Sequence, residues 1–150
     1  MASEALTTLL AQIREMLPAD LATNVPSPHD VRRALDAVAP PPLGLDVREV
    51  DLMRDLAPEH PGYDDEEAVF LEAEWILPRE REPGRRMVWL HGGGYVAGSP
   101  RGYRGFVSRI ARQCRSATLV PAYRLAPEHR FLAALEDARL ALRDAMEKGP

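Results

Sequence analysis

Apolar residues recur at helical spacing in the first forty positions. Leu6, Leu9, Leu10, Ile13, Met16 and Leu17 share one face at a 3.6-residue period, with Ser3 as a cap and Pro18 as a stop, so a helix over 3–17 is expected. Ser27-Pro28 opens a second, shorter helix, in which proline suits the first helical position and Asp30 is placed for a capping box. Val31, Leu35 and Val38 form its apolar face, and Pro40-Pro41-Pro42 ends it. Residues 1–44 therefore read as a helical segment, with a boundary near Leu43-Gly44.

From Leu45 the period changes to two. Val47, Val50 and Leu52 suggest one strand, and Val69 to Leu77 a second, with Val69, Leu71, Ala73 and Trp75 on one face and the acidic stretch Glu59 to Glu67 as the loop between. Arg86 to Leu90 is apolar on both faces for most of its length, as an interior strand is. A helix then buries Phe106, Val107, Ile110, Ala111 and Cys114, and a strand runs from Ala117 to Val120. A last helix, about Phe131 to Lys148, buries Leu132, Leu135, Leu142 and Met146 and stops at Gly149-Pro150. Alternating strands and helices over 45–150 make the class α/β.

Composition narrows the function. Nineteen basic against 23 acidic residues leave a net charge of −4 in 150 residues, no field for a polyanion, so nucleic acid is an improbable ligand. No apolar run approaches the ~20 residues of a membrane span. The amino terminus lacks the order of a signal peptide, and the default compartment is the cytoplasm. Cys114 is the sole cysteine, which excludes an internal disulfide and a multi-cysteine metal site.

Three glycines, Gly92 to Gly94, directly follow the Arg86–Leu90 strand. Glycine is costly to order, so the run points to a group that approaches the backbone closely. Without Cβ atoms, the N–H groups of Gly93 and Gly94 can converge on one small anion, as donors do in an oxyanion hole. A phosphate loop needs Gly-Lys-Ser/Thr or G-x-G-x-x-G, and His91 to Pro100 contains neither.

His91-Gly92-Gly93-Gly94-Tyr95, then Tyr123-Arg124-Leu125-Ala126-Pro127-Glu128-His129-Arg130-Phe131, then Ala133-Ala134-Leu135-Glu136-Asp137-Ala138, resembles the hormone-sensitive-lipase-like esterases, the bacterial family IV branch of the α/β-hydrolases. Ala122 and Leu132 depart from the family's usual acidic residue and proline. The resemblance implies the amino-terminal half of an α/β-hydrolase fold, a mixed and mostly parallel sheet flanked by helices, with 1–44 as part of a helical cap. It implies serine-dependent hydrolysis of short acyl or aryl esters without metal or organic cofactor. Gly93 and Gly94 would be the oxyanion donors, His91 and Gly92 would support their loop, and Tyr95 would contact substrate. Implied partners are a small ester and either a second copy of the chain or a missing carboxy-terminal half.

The family's nucleophile sits in G-x-S-x-G, followed along the chain by its acid and its histidine. Ser3, Ser27, Ser99, Ser108 and Ser116 all lack that setting. Nucleophile, acid and base are thus expected outside this chain, which reads as truncated before the nucleophile and inactive alone. Arg86–Leu90 would then be an apolar sheet edge prone to association. The alternatives are a non-catalytic module that binds a small carboxylate, or a vestigial truncated product.

Blander roles stand beside these. Tyr95 reads equally as pocket wall and as packing. His91 fits a loop brace better than a base, and His29, His60 and His129 fit solvated or structural positions. Arg124 fits an ion pair that ties two loops together. Arg101, Arg104, Arg109, Arg112 and Arg115 read as the solvated face of a helix, and Cys114 as core filler.

Overall fold

The computed structural model describes residues 27–37, 46–53 and 70–150. The expected helix at 3–17, the boundary at 43–44, Val38, His60, Val69 and the acidic stretch 59–67 lie outside them. The described elements are α1 (Pro28–Ala37), β1 (Asp46–Met53), β2 (Phe70–Leu77), β3 (Arg86–Val88), α2 (Pro100–Cys114), β4 (Ala117–Pro121) and α3 (Ala133–Glu147). The strands form one sheet in the order β1-β2-β4-β3. β1 pairs antiparallel with β2 and β2 antiparallel with β4, whereas β3 lies parallel to β4, with α2 as the crossover between them.

The start of α1 follows the expected capping chemistry. Ser27 Oγ accepts from the Asp30 N–H at 3.2 Å and donates to Asp30 Oδ2 at 2.7 Å. Ser99 caps α2 by accepting from the Gly102 N–H at 2.9 Å. α2 closes at Arg115, whose left-handed backbone (φ 51°) lets the N–H groups of Arg115 and Ser116 reach back to Arg112 and Ala111.

The sheet carries a core on each face. Leu52, Leu71, Ala73, Trp75, Leu119, Leu140, Ala141 and Ala145 make one, beneath α3. Ile76, Val107, Ala111 and Val120 make the other, beneath α2, flanked by Trp89 and Tyr103. The alternation read from 71 to 75 is therefore real, but Glu74 and Ile76 are buried on the opposite face as well.

Three expectations are corrected. β3 ends at Val88 instead of Leu90, because the chain leaves the sheet toward the glycines; among the described residues it is the sheet edge expected of a chain without the next strand, with Met87, Val88 and Trp89 half-buried and Leu90 exposed. Cys114 is exposed, because it occupies the last turn of α2, beyond the stretch that covers the sheet, and Phe106 is exposed as well, its ring against Trp89 at 5.5 Å. In α3 the face that packs is Asp137, Leu140, Ala141 and Ala145, while Leu132, Leu135, Leu142 and Met146 lie exposed. This helix is apolar on two sides, and the sheet took the side whose alanines allow close approach.

Candidate active site

β3 delivers the chain to the glycines. Trp89 still bonds to β4 through its N–H and the Leu119 carbonyl (2.8 Å), after which the chain leaves the sheet. The Gly93 carbonyl accepts from the N–H groups of Val96 (3.2 Å) and Ala97 (3.0 Å), which closes a tight turn. Gly93, Gly94 and Tyr95 all have positive φ, at 132°, 63° and 63°. A Cβ at Gly93 would collide with the Ala97 carbonyl, whereas one at Gly94 would meet open space. Neither the Gly93 nor the Gly94 N–H has a protein acceptor among the described residues.

Behind the turn, His91 is 4% exposed and stacks on Tyr123, with ring centroids 4.2 Å apart. The Tyr123 hydroxyl donates to the His91 carbonyl at 2.5 Å. His91 Nδ1 is 3.1 Å from the Gly92 carbonyl, and the Gly98 backbone packs so closely on the ring that a Cβ there would strike it. Burial holds the imidazole below its ordinary pKa of 6.5, with the Gly92 contact opposing. Burial pushes the Tyr123 phenol up.

A second loop, after β4, seats the first. The Ala126 N–H donates to the Tyr95 carbonyl at 2.8 Å. Arg124 joins Asp137 through its backbone N–H (2.9 Å), Nε (3.0 Å) and Nη2 (3.0 Å), and reaches Glu136 at 3.1 Å. The pairing expected of Arg124 is thus present, as a tie between this loop and α3. Leu132, in the family's proline position, has φ 89°, which a pyrrolidine ring does not reach. Sequence reading missed Arg32 of α1, whose guanidinium bonds to both loops; no spacing rule connects residues 64 and 94 positions apart.

Between the loops and the start of α3 lies a cavity of about 670 Å³. Gly92 to Gly94 form one side, and Leu90, Phe131, Leu135 and Ala138 give it an apolar wall. Tyr95 stands at its rim, 68% exposed, with its ring 6.4 Å from Tyr123. His129 also lines the cavity and His29 is exposed on α1. The described residues include no cluster of three or more His, Cys, Asp or Glu that would hold a metal. No described helix is long and apolar enough to cross a membrane.

The arginines of α2 do not form one solvated face. Arg104 grips the buried Glu74 with Nε (2.7 Å) and Nη2 (2.6 Å) and reaches Glu49 at 3.1 Å, so it leaves the face on which Arg101, Arg109, Arg112 and Arg115 stay exposed, the last two paired with Glu80 and Glu82.

Residues 87–149 match a family described as alpha/beta hydrolase fold. An acetyl-hydrolase of Streptomyces hygroscopicus is 43% identical over 77 residues, which are 51% of this chain and 25% of that protein. The crystal structure of EstE5 aligns over 99% of this chain and 44% of its own, with 32% identity and a TM-score of 0.77. The crystal structure of an esterase from the bacterial hormone-sensitive lipase family aligns over 99% of this chain and 45% of its own, with 30% identity and a TM-score of 0.72. The chain thus spans less than half the length of the solved relatives it matches.

Proposed function

From its likeness to hormone-sensitive-lipase-like esterases, we propose that the chain belongs to that branch of the α/β-hydrolases and supplies the oxyanion hole and part of the acyl pocket of a carboxylic-ester hydrolase. The observation that carries the reading is the pair of unbonded N–H groups at Gly93 and Gly94, on a turn that faces an apolar cavity. Two such donors held in place stabilise the oxygen of a tetrahedral intermediate, each by ~2.7–4 kcal/mol. His91 and Gly92 brace the turn from behind, and Tyr95 borders the substrate. The ester is small, with a short acyl or aryl group against Phe131 and Leu135.

None of the five serines lies in G-x-S-x-G, so attack on the carbonyl needs a serine, a histidine and a carboxylate from outside these 150 residues. The chain by itself is then expected to hydrolyse an activated aryl ester no faster than buffer. Joined to a carboxy-terminal esterase half that carries the missing groups, it is expected to turn that ester over, with a loss of about 10²–10³ in kcat for G93A. Turnover by the isolated chain that G93A abolishes, or a joined enzyme indifferent to G93A, refutes the proposal.

The unbonded N–H groups of Gly93 and Gly94 also fit a second reading, a module that holds a small carboxylate at those two donors. Butyrate bound at Gly93 and Gly94, with no turnover in any joined form, is the outcome that selects it.

A further inference from the structure

Arg32 lies on α1, far along the chain from the glycine turn, yet its guanidinium holds the site at three points. Nε donates to the Val96 carbonyl at 2.8 Å and Nη2 to the Ala126 carbonyl at 2.8 Å. Nη1 and Nη2 donate to the two carboxylate oxygens of Glu128 at 3.1 Å and 2.8 Å. Val96 belongs to the turn that closes on the Gly93 carbonyl, and Ala126 is the residue whose N–H holds the Tyr95 carbonyl. One side chain, three-quarters buried, thus clamps the turn and the loop on which it rests.

One turn further along α1, Asp36 Oδ1 accepts from Ser99 Oγ at 2.5 Å, and Ser99 caps α2 where the turn ends. A Cβ at Gly102 would strike Asp36, so α1 lies directly against that cap. The turn needs such restraint. Gly93, Gly94 and Tyr95 are left-handed in succession, and Tyr95 carries a side chain that disfavours it. Conformations of this kind persist where the surroundings over-determine them.

The geometry points to Arg32 as a positioning residue of the Gly93–Gly94 cradle, which fixes both N–H groups by pinning the Val96 and Ala126 carbonyls against α1. The inference rests on the proposed reading of that cradle as an anion site. Oxyanion donors act through preorganisation, so a residue that holds them matters without touching substrate. A planar fork of five donors meets these four acceptors, and an ammonium does not.

The test uses the full chain, with backbone amide hydrogen exchange and a butyrate titration followed by the Gly93 and Gly94 amide signals. In R32A, exchange at Ala97 and Ala126 is expected to rise about tenfold or more, and butyrate affinity to fall about tenfold, while Leu119 and Val120 in β4 stay protected. R32K and E128Q are expected to fall between wild type and R32A. Unchanged exchange at Ala97 and Ala126 and unchanged butyrate affinity in R32A overturn the inference. Should R32A also lose protection in β4, R32K and E128Q decide: selective loss at Ala97 and Ala126 supports positioning, and wild-type behaviour in both overturns it. If butyrate leaves the wild-type Gly93 and Gly94 signals unmoved, the anion reading fails, and the exchange pattern alone judges whether Arg32 holds the turn.

Discussion

Asp137 receives three groups of a single residue, the backbone N–H, Nε and Nη2 of Arg124, all within 3.0 Å, and its side chain is 1% exposed. The carboxylate therefore closes the loop after β4 onto α3. Truncation to alanine leaves a largely buried guanidinium without its main partner, which costs about 3 kcal/mol or more. The expected result for D137A is an unfolding free energy lowered by that amount, read from a lower urea midpoint with an unchanged slope.

The Arg104–Glu74 pair gives a different expectation for single and double changes. Glu74 is buried between β1 and β4, so E74A is expected to cost about 2–4 kcal/mol by stranding Arg104. Replacement of both by leucine is expected to recover most of that loss, because apolar residues carry no desolvation cost. A double-mutant cycle from urea melts checks this.

At the glycine turn, two neighbouring substitutions are expected to differ. G94A places a methyl group in open space and keeps a left-handed φ, at a cost of about 1–2 kcal/mol. G93A drives a Cβ into the Ala97 carbonyl, so the turn itself must move. Amide shifts confined to residues 93–95 in G94A, and spread through Ala97 and Ala126 in G93A, are the expected signature.

Acid should act in two windows. His91 has a folded pKa below the ordinary 6.5, so the unfolded chain takes the proton first, and stability present above pH 6.5 falls as pH drops below it. Glu128 is held at about 2 by the Arg32 hydrogen bonds, against an ordinary 4.5, so its contribution is present above pH 4.5 and is lost between there and pH 2. Urea midpoints are expected to lose the upper window in H91Q and the lower window in E128Q.

The exposed Leu142 and Met146 of α3 and the edge of β3, which is unpaired among the described residues, present apolar surface and open backbone together. The chain is expected to self-associate at micromolar concentration, and L142E/M146E to reduce this in sedimentation velocity. A monodisperse wild-type monomer with one sharp thermal transition overturns the expectation.

Local chemistry made much of this protein legible in its sequence. The Ser27–Asp30 cap, the alternation from Leu71 to Trp75, the α/β order and the glycine run after a strand all depend on neighbours a few residues apart, which spacing reports directly. Choices among surfaces were decided only in three dimensions. α3 has two apolar sides, and periodicity alone favoured Leu135, Leu142 and Met146, but the sheet accepted Leu140, Ala141 and Ala145, with Asp137 drawn in by Arg124. Cys114 matches the inward period of α2 and still faces solvent, since the helix outruns the surface it covers. Arg32, Glu74 and Asp137 are ordinary charges in the sequence. Their partners lie on other elements, and burial, which makes those pairings matter, exists only once the chain has folded.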